Sequence, residues 1–303
     1  MILDDLAAAA RERVAEQRRR TPERTVLEQA ERLAAAAPDP AARPFEAALR
    51  RPGLSFICEV KRASPSRGMI APVFDPLAIA TGYEAAGADA ISVLTEPRWF
   101  LGSDQYLRAI ADRVRTPLLR KDFTVDAYQV AEAKTLGAAA VLLICAILDD
   151  RQLREYGALA DRLGLSAIFE AHDAAEIDRA LAAGARIVGV NNRNLHDFTV
   201  DRGTSATQRD RVPRDVVFVS ESGVRGPQDA AAARRIGADA VLVGEALMRA
   251  EDVGARLREL RGEAGPAHAD PKTAAAQPIP TVRPIPAHSS EDTTDLHQTE
   301  EVR

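Results

Sequence analysis

From Leu54 onward the chain alternates short, unbroken apolar runs with longer segments of helical character. The runs are Leu54–Val60, Ala90–Leu94, Pro117–Leu119, Val141–Ile144, Ala167–Phe169, Ile187–Val190, Val216–Val219 and Ala240–Val243. None alternates polar with apolar positions, which is how strands buried on both faces read. A Gly-Ala pair stands shortly before four of the runs: Gly87-Ala88, Gly137-Ala138, Gly184-Ala185 and Gly237-Ala238. Each glycine suits the end of a helix, where a left-handed residue without Cβ is favoured. Asp75-Pro76, Asp126, Asp149 and Asp173 suit helix starts. Eight strands, each followed by a helix, over about 210 residues predict a parallel (β/α)8 TIM barrel. An open doubly wound sheet is the competing architecture, but no Gly-rich dinucleotide fingerprint follows the first strand.

The flanks differ. Residues from Ile2 to about Arg50 read as helices, with Leu3, Leu6, Ala10 and Val14 on one face. Thr21 is predicted to cap a second helix that has Pro22 at its first position. This divides the chain into an N-terminal helical extension packed on the barrel (1–50), the barrel itself (51–262) and a tail (263–303). The tail is rich in Pro, Ala, Thr and acids and has almost no large apolar residues. It is expected to be disordered, because it cannot bury enough surface to fold. The stretch Arg202 to Arg211 is too polar for an ordinary barrel helix and leaves the register there open.

Composition narrows the partners. The formal net charge is −5, which argues against nucleic acid or an anionic membrane as a main partner. No apolar run reaches membrane-spanning length. Asp4 and Asp5 stand where a secretory signal would be apolar. Cys58 and Cys145 lie inside apolar runs and read as reduced core residues. A cytoplasmic location is the expectation. Three of the five histidines fall in the tail, too scattered for a metal site, so none is expected.

In a barrel, chemistry collects at the C-terminal ends of the strands. Here those ends turn ionisable. The first carries Glu59 and Lys61, the third Lys121, the fifth Glu170, the sixth Asn191 and the seventh Glu221. Glu59 and Lys61 are two apart and share a strand face. A structural ion pair would explain that pair alone. Glu59 and Lys61 joined by Lys121 and Glu170, four charges converging from three strands, point to function, since buried charge is costly unless paired or used. Lys121 suits a general acid or a Schiff base, or else a salt bridge with Glu59 or Glu170. Glu170 suits proton transfer if closure of the site raises its pKa. Glu221-Ser222-Gly223 and Gly244-Glu245-Ala246, after strands seven and eight, suit a phosphate site. Glu245 should then point away from the anion. Ser64 to Gly68 opens a long connection that is either a closing flap with Ser64 or Arg67 near an anion, or plain surface. Arg193 either clamps an anion or is solvated. Trp99, Phe100 and Phe123 either wall an aromatic pocket or pack.

These residues resemble the indole-3-glycerol-phosphate synthase family. The resemblance lies in Cys58-Glu59-Val60-Lys61-Arg62-Ala63-Ser64-Pro65-Ser66, Leu94-Thr95-Glu96 through Phe100 and Gly102-Ser103, Arg120-Lys121-Asp122-Phe123, Asn191-Asn192-Arg193-Asn194-Leu195 and Glu221-Ser222-Gly223. It runs from about Ile2 to Ala250. It implies a cofactor-free reaction on a small phosphorylated substrate, 1-(2-carboxyphenylamino)-1-deoxyribulose 5-phosphate. Ring closure, decarboxylation and dehydration give indole-3-glycerol phosphate for tryptophan synthesis. By the resemblance, Lys121 is the general acid, and Lys61 holds the substrate carboxylate and assists dehydration. Glu170 transfers a proton, Glu59 aims the two lysines, and Asn191 and Glu221 are further polar contacts. Ser64, Ser222, Gly223 and Gly244 would cradle the phosphate, Phe100 and Phe123 would pack on the anthranilate ring, and Arg193 would bind substrate. Two other readings compete. One is a phosphate-binding barrel aldolase using Lys121 or Lys61 as Schiff base. The other is a non-catalytic phosphate-binding barrel, which would have little use for two inward lysines beside two carboxylates.

Overall fold

The eight apolar runs form eight parallel strands that close on themselves: β1 Ser55–Val60, β2 Ala90–Leu94, β3 Leu118–Lys121, β4 Ala140–Ile144, β5 Ser166–Ala171, β6 Ile187–Asn191, β7 Val217–Glu221 and β8 Ala240–Val243. β1 pairs with β8 through Ser55↔Ala240 to Cys58↔Val243, which completes the (β/α)8 barrel. The computed structural model describes residues 2–37, 39, 42–194 and 198–263. The predicted disordered tail therefore lies, from residue 264, outside the described residues. Among them, no helix is long and apolar enough to cross a membrane.

Strand alternation sorts the side chains into two cores. Ile57, Ala90, Leu119, Ala140, Leu142, Ile168, Ile187, Val217, Val219, Ala240 and Leu242 fill the barrel interior. Phe56, Cys58, Val60, Val93, Leu143, Phe169, Val188 and Phe218 face the outer helices. Cys58 and Cys145 are buried and unpaired, as expected of core thiols. Glu59 follows Ile57 by two residues, Lys121 follows Leu119, Glu170 follows Ile168 and Glu221 follows Val219. The inward apolar ladder thus delivers each ionisable group to the same rim.

The Gly-Ala pairs have a specific geometry. After helix α4 (Pro76–Ala85) the Gly87 amide bonds the Glu84 carbonyl at 2.9 Å, and the Ala88 amide bonds Tyr83 at 3.0 Å. This is a Schellman closure, with Gly87 left-handed at φ +81°. The same pair of bonds recurs at Gly137-Ala138, Gly184-Ala185 and Gly237-Ala238. Each closure turns the chain straight into the next strand. The predicted caps hold as well. Asp75 accepts from Leu77 and Ala78, Asp126 caps α6 (Ala127–Thr135), Asp149 forms a capping box on α7 (Asp150–Arg162), and Asp173 caps α8 (Ala174–Ala182).

The N-terminal segment folds into α1 (Ile2–Arg20), α2 (Glu23–Ala35) and α3 (Pro44–Leu49). Leu3, Leu6, Ala10 and Val14 are buried along α1, as the pattern predicted, and Ala7 joins them. Arg13 bonds Asp122 at 2.6 Å and Arg18 bonds Asp126 at 2.6 Å, tying α1 to the connection after β3. Thr21 does not cap α2. Its amide closes the last turn of α1 on Gln17, and Pro22 occupies the N-cap position with no side-chain cap. The polar stretch after β6 forms only the short α9 (Gly203–Gln208) and a 3-10 turn, Arg209–Arg211. Its buried side chains are polar. Ser205 bonds Asn192, and the Arg209 guanidinium lies over Phe218 and donates to Gly237 and Val212. A hydrogen-bonded seam replaces the apolar helix face here, which is why hydrophobic periodicity fails.

Candidate active site

A cavity of about 1030 Å³ opens at the C-terminal rim of the barrel. All the side chains singled out as site residues line it: Glu59, Lys61, Ser64, Phe100, Lys121, Phe123, Glu170, Asn191, Arg193, Glu221, Ser222, Gly223 and Gly244. Trp99 does not. The Glu96 carboxylate accepts the amides of Arg98, Trp99 and Phe100, a turn that sends Phe100 inward. Trp99 instead carries the Arg98 guanidinium, 4.8 Å from its ring centroid.

Lys121 is the centre of charge. Its Nζ lies 3.2 Å from Glu170 and 3.9 Å from Glu221. Burial alone would push the ammonium toward neutrality. Glu170, Glu221 and Glu59 outweigh it and raise the lysine above its ordinary pKa. Burial would likewise raise Glu170, but Lys121, His172 and the Asn191 amide, 3.2 Å away, hold it below the usual carboxylate range. The raised pKa expected of Glu170 falls instead on Glu221. Burial and repulsion from Glu170 push that carboxyl to about 8, against the pull of Lys121. Glu221 Oε1 is buried and has no hydrogen-bond partner among the described residues, and it packs where a Cβ on Gly189 would lie, 2.2 Å away.

Glu59 and Lys61 form an ion pair on the inward face of β1 and just beyond it. Gly244 leaves room for that pair. A Cβ there would sit 2.4 Å from Glu59 Oε2 and 3.1 Å from Lys61 Nζ. Phe100 and Phe123 lie side by side, ring centroids 6.2 Å apart, as an aromatic wall. Leu142, Leu242, Leu3 and Leu6 complete the apolar lining.

Another part of the lining is cationic and rich in backbone. Ser222 and Gly223 both have positive φ, +64° and +96°. The strained serine is held by Asn192, whose amide donates to the Ser222 carbonyl at 3.0 Å and to Ser220 at 3.2 Å, while its oxygen accepts from Ser205. Arg193 and Arg67 are close enough that, after burial, Arg67 is the next cause lowering the Arg193 pKa. Two guanidiniums that repel one another across a cavity suit an anion between them. Glu245 does not point away as expected. It lines the cavity, and its oxygens reach Arg67 and Arg249, each at 3.3 Å, which neutralises its charge. Ser64 to Gly68 is a small antiparallel turn, Ala63–Ser64 against Gly68–Met69, that places Ser64 and Arg67 at the mouth.

The model of the family described as indole-3-glycerol phosphate synthase matches residues 3–260. The chain belongs to the indole-3-glycerol phosphate synthase family. An indole-3-glycerol phosphate synthase of Ruminiclostridium cellulolyticum is 53% identical over 264 residues, 87% of this chain and 100% of that protein. One from Lachnoclostridium phytofermentans is 44% identical, over 86% of this chain and 99% of that protein. Among solved structures, 3-hexulose-6-phosphate synthase from Salmonella typhimurium shares the fold, with a TM-score of 0.55, 16% identity, and coverage of 69% of this chain and 98% of that one.

Reading this family member from sequence missed several lining residues. Arg225, Arg249 and Arg256 surround the mouth, and Leu3 and Leu6 reach it from α1. Arg225 lies in a loop, Arg249 in a turn and Arg256 on a half-buried helix, and none of them gives a local signal in sequence. The leucines were legible as a helix face, but not which surface that face meets. Asn192 was visible only as part of a motif. Its role in holding Ser222 needs the three-dimensional seam with Ser205 and Ser220.

Proposed function

We propose that this chain catalyses conversion of 1-(2-carboxyphenylamino)-1-deoxyribulose 5-phosphate to indole-3-glycerol phosphate, carbon dioxide and water. The observation that carries the reading is Lys121, held cationic among Glu170, Glu221 and Glu59, between an aromatic wall and an arginine-lined mouth. The phosphate binds at Ser64, Arg193, Ser222, Gly223 and Gly244, and the anthranilate ring rests on Phe100 and Phe123. The ring carbon bearing the carboxylate attacks the ketone carbon. As that C–C bond forms, Lys121 Nζ donates a proton to the ketone oxygen, which becomes far more basic than an amine. Lys61, aimed by Glu59, holds the substrate carboxylate. The C–CO2 bond then breaks and its electron pair restores the aromatic ring. In the dehydration, ionised Glu170 accepts a proton from the ring CH2 carbon beside the anilino nitrogen, and Lys61 supplies one to the departing hydroxyl. The electron pair of the broken C–H bond forms the C=C bond of the indole, whose N–H is retained. Asn191 and Glu221 hold the substrate hydroxyls and the catalytic lysine. A Schiff-base aldolase needs a neutral lysine at the moment of attack, which three carboxylates around Lys121 oppose.

The test is direct. Full-length protein incubated with the substrate should produce indole fluorescence and release carbon dioxide in equal amounts. A lysine adduct trapped by borohydride with a ketose phosphate, without indole formation, would favour the aldolase.

Asn192→Ala separates binding from chemistry. It removes the side-chain bond to the Ser222 carbonyl, whereas Lys121 is held by Glu170 and Glu221. KM should rise about tenfold, the loss of roughly one good hydrogen bond to phosphate, with kcat within a few-fold of the parent. An unchanged KM in steady-state assays would show that Ser222 needs no such support.

A further inference from the structure

We propose that His172 is a positioning residue that keeps Glu170 ionised and aimed at the cavity. The proposal rests on the role given to Glu170 above and adds the group that sets its state. His172 stands two residues beyond Glu170, just past the end of β5. It does not line the cavity, so it acts through Glu170 rather than on substrate.

Both ring nitrogens are accounted for by geometry. Nδ1 lies 3.1 Å from Glu176 Oε2, and the same oxygen accepts the His172 backbone amide at 2.8 Å. A carboxylate at Nδ1 fixes that nitrogen as a donor. Nε2 lies 3.7 Å from Glu170 Oε1, is buried, and has no hydrogen-bond partner among the described residues. An unpartnered buried imidazole nitrogen is unfavourable unless the ring carries charge beside an anion. The arrangement Glu176–His172–Glu170 therefore favours imidazolium facing Glu170 on the side opposite Lys121.

The groups around the ring agree in sign. Glu170 lies on β5, Glu176 on α8 and Glu221 on β7, and all three favour the charged ring against its burial, leaving it raised above the ordinary histidine range. Asp173 caps α8, and Arg179 of the same helix is taken up by Asp150 and the carbonyls of Cys145 and Leu148. The Cys145 thiol nearby is pushed up to about 12 by burial and stays neutral. The nearest cation to Glu170 besides His172 is Lys121, whose attraction is shared with Glu221. Without His172, one buried lysine would serve two buried carboxylates.

The consequence is a sign-specific pH effect. Lys121 and the imidazolium together hold Glu170 low, so activity that needs its carboxylate is lost only as pH falls into the acid range. Replacing the ring with a neutral amide raises the Glu170 pKa, and the acid limb of kcat moves up with it.

The experiment measures kcat against pH for the full-length parent and for His172→Gln, Glu176→Gln and Glu170→Gln, together with NMR titration of the His172 ring. The His172 signal is identified by its loss in His172→Gln. The acid limb should move up by about one pH unit or more in His172→Gln, since one charge at 3.7 Å gives a shift of that order even in a water-like dielectric. A smaller shift in the same direction is expected for Glu176→Gln, which weakens the imidazolium but keeps an acceptor for the His172 amide. The ring should titrate at lower pH in Glu170→Gln than in the parent. An unmoved acid limb in both His172→Gln and Glu176→Gln, with Glu170→Gln inactive, would overturn the proposal and leave His172 structural. Should His172→Gln not fold, Glu176→Gln and the ring titration in Glu170→Gln decide alone, and an unmoved limb with an unmoved titration overturns it. Near-normal turnover by Glu170→Gln would instead overturn the role of Glu170 itself, while the NMR titration would still read whether the two side chains are coupled.

Discussion

Lys121→Ala is expected to lower kcat by about 10³-fold or more, the scale of a lost general acid in a closed site. Substrate affinity should stay within a few-fold, because Arg67, Arg193 and the Ser222-Gly223 turn still line the cavity. The loss has two components, and Lys121→Arg separates them. Arginine restores a cation between Glu170 and Glu221 but does not release its proton at working pH. If Lys121 acts only by charge, Lys121→Arg recovers much of the rate. If it donates a proton, both variants stay slow, which is the expected result. The alanine variant should also hold the proton of its carboxyl pair to higher pH than the parent does. It leaves Glu170 and Glu221 facing each other with Lys121 gone, and burial and repulsion push Glu221 up to about 8 even with the lysine in place. Single-turnover fluorescence and a binding titration measure these effects. Near-normal turnover in Lys121→Ala would remove the assignment.

Gly102→Ala should produce the largest stability loss, about 3 kcal/mol or more. A Cβ at Gly102 would lie 2.4 Å from the Leu94 carbonyl oxygen, 2.7 Å from its carbon and 2.9 Å from the Glu96 oxygen. All three are backbone atoms at the end of β2, so no side-chain rotation relieves the clash. The Gly102 amide also bonds Glu96 at 2.8 Å, closing the turn whose inner amides are held by the Glu96 carboxylate. Opening that turn would swing Phe100 off the aromatic wall. Denaturant midpoints should fall, and KM should rise in the fraction that remains folded. An unchanged midpoint would show that the turn can widen at no cost.

The barrel was legible because its architecture is periodic. Eight apolar runs, four Gly-Ala closures and four aspartate caps repeat one unit, and each repetition strengthens the reading of the others. Strand ends were less legible. Hydrophobicity ends β3 at Leu119 and β5 at Phe169, whereas the ladder continues through Lys121 and Ala171. The sheet persists where the residues turn polar, because their partners still pair: Leu94↔Lys121 and Ile144↔Glu170. The ionisable residues that shorten the apparent strand are the ones it positions. The cavity-lining residues on the inner strand faces were found because spacing of two fixes their direction. Which carboxyl is raised was not readable. Glu170 and Glu221 occupy equivalent strand ends, and only the placement of Asn191, His172 and Lys121 makes them differ. Thr21 misled because the end of one helix and the start of the next compete for the same residue. The sequence carried no sign that Trp99 turns away while Phe100 turns in.

The pairing of the first strand with the last has a bearing on how the pocket is completed. Glu59 and Lys61 belong to the beginning of the cylinder, Gly244 to its end, and the vacant space at Gly244 is what admits the Glu59–Lys61 pair. Lys61 and Gly244 stand nearly two hundred residues apart, so the glycine wall beside the pair exists only where the last strand has closed on the first. A chain that stops short of Gly244 would lack that wall of the pocket. The two ends of the chain's barrel segment thus meet at the chemistry.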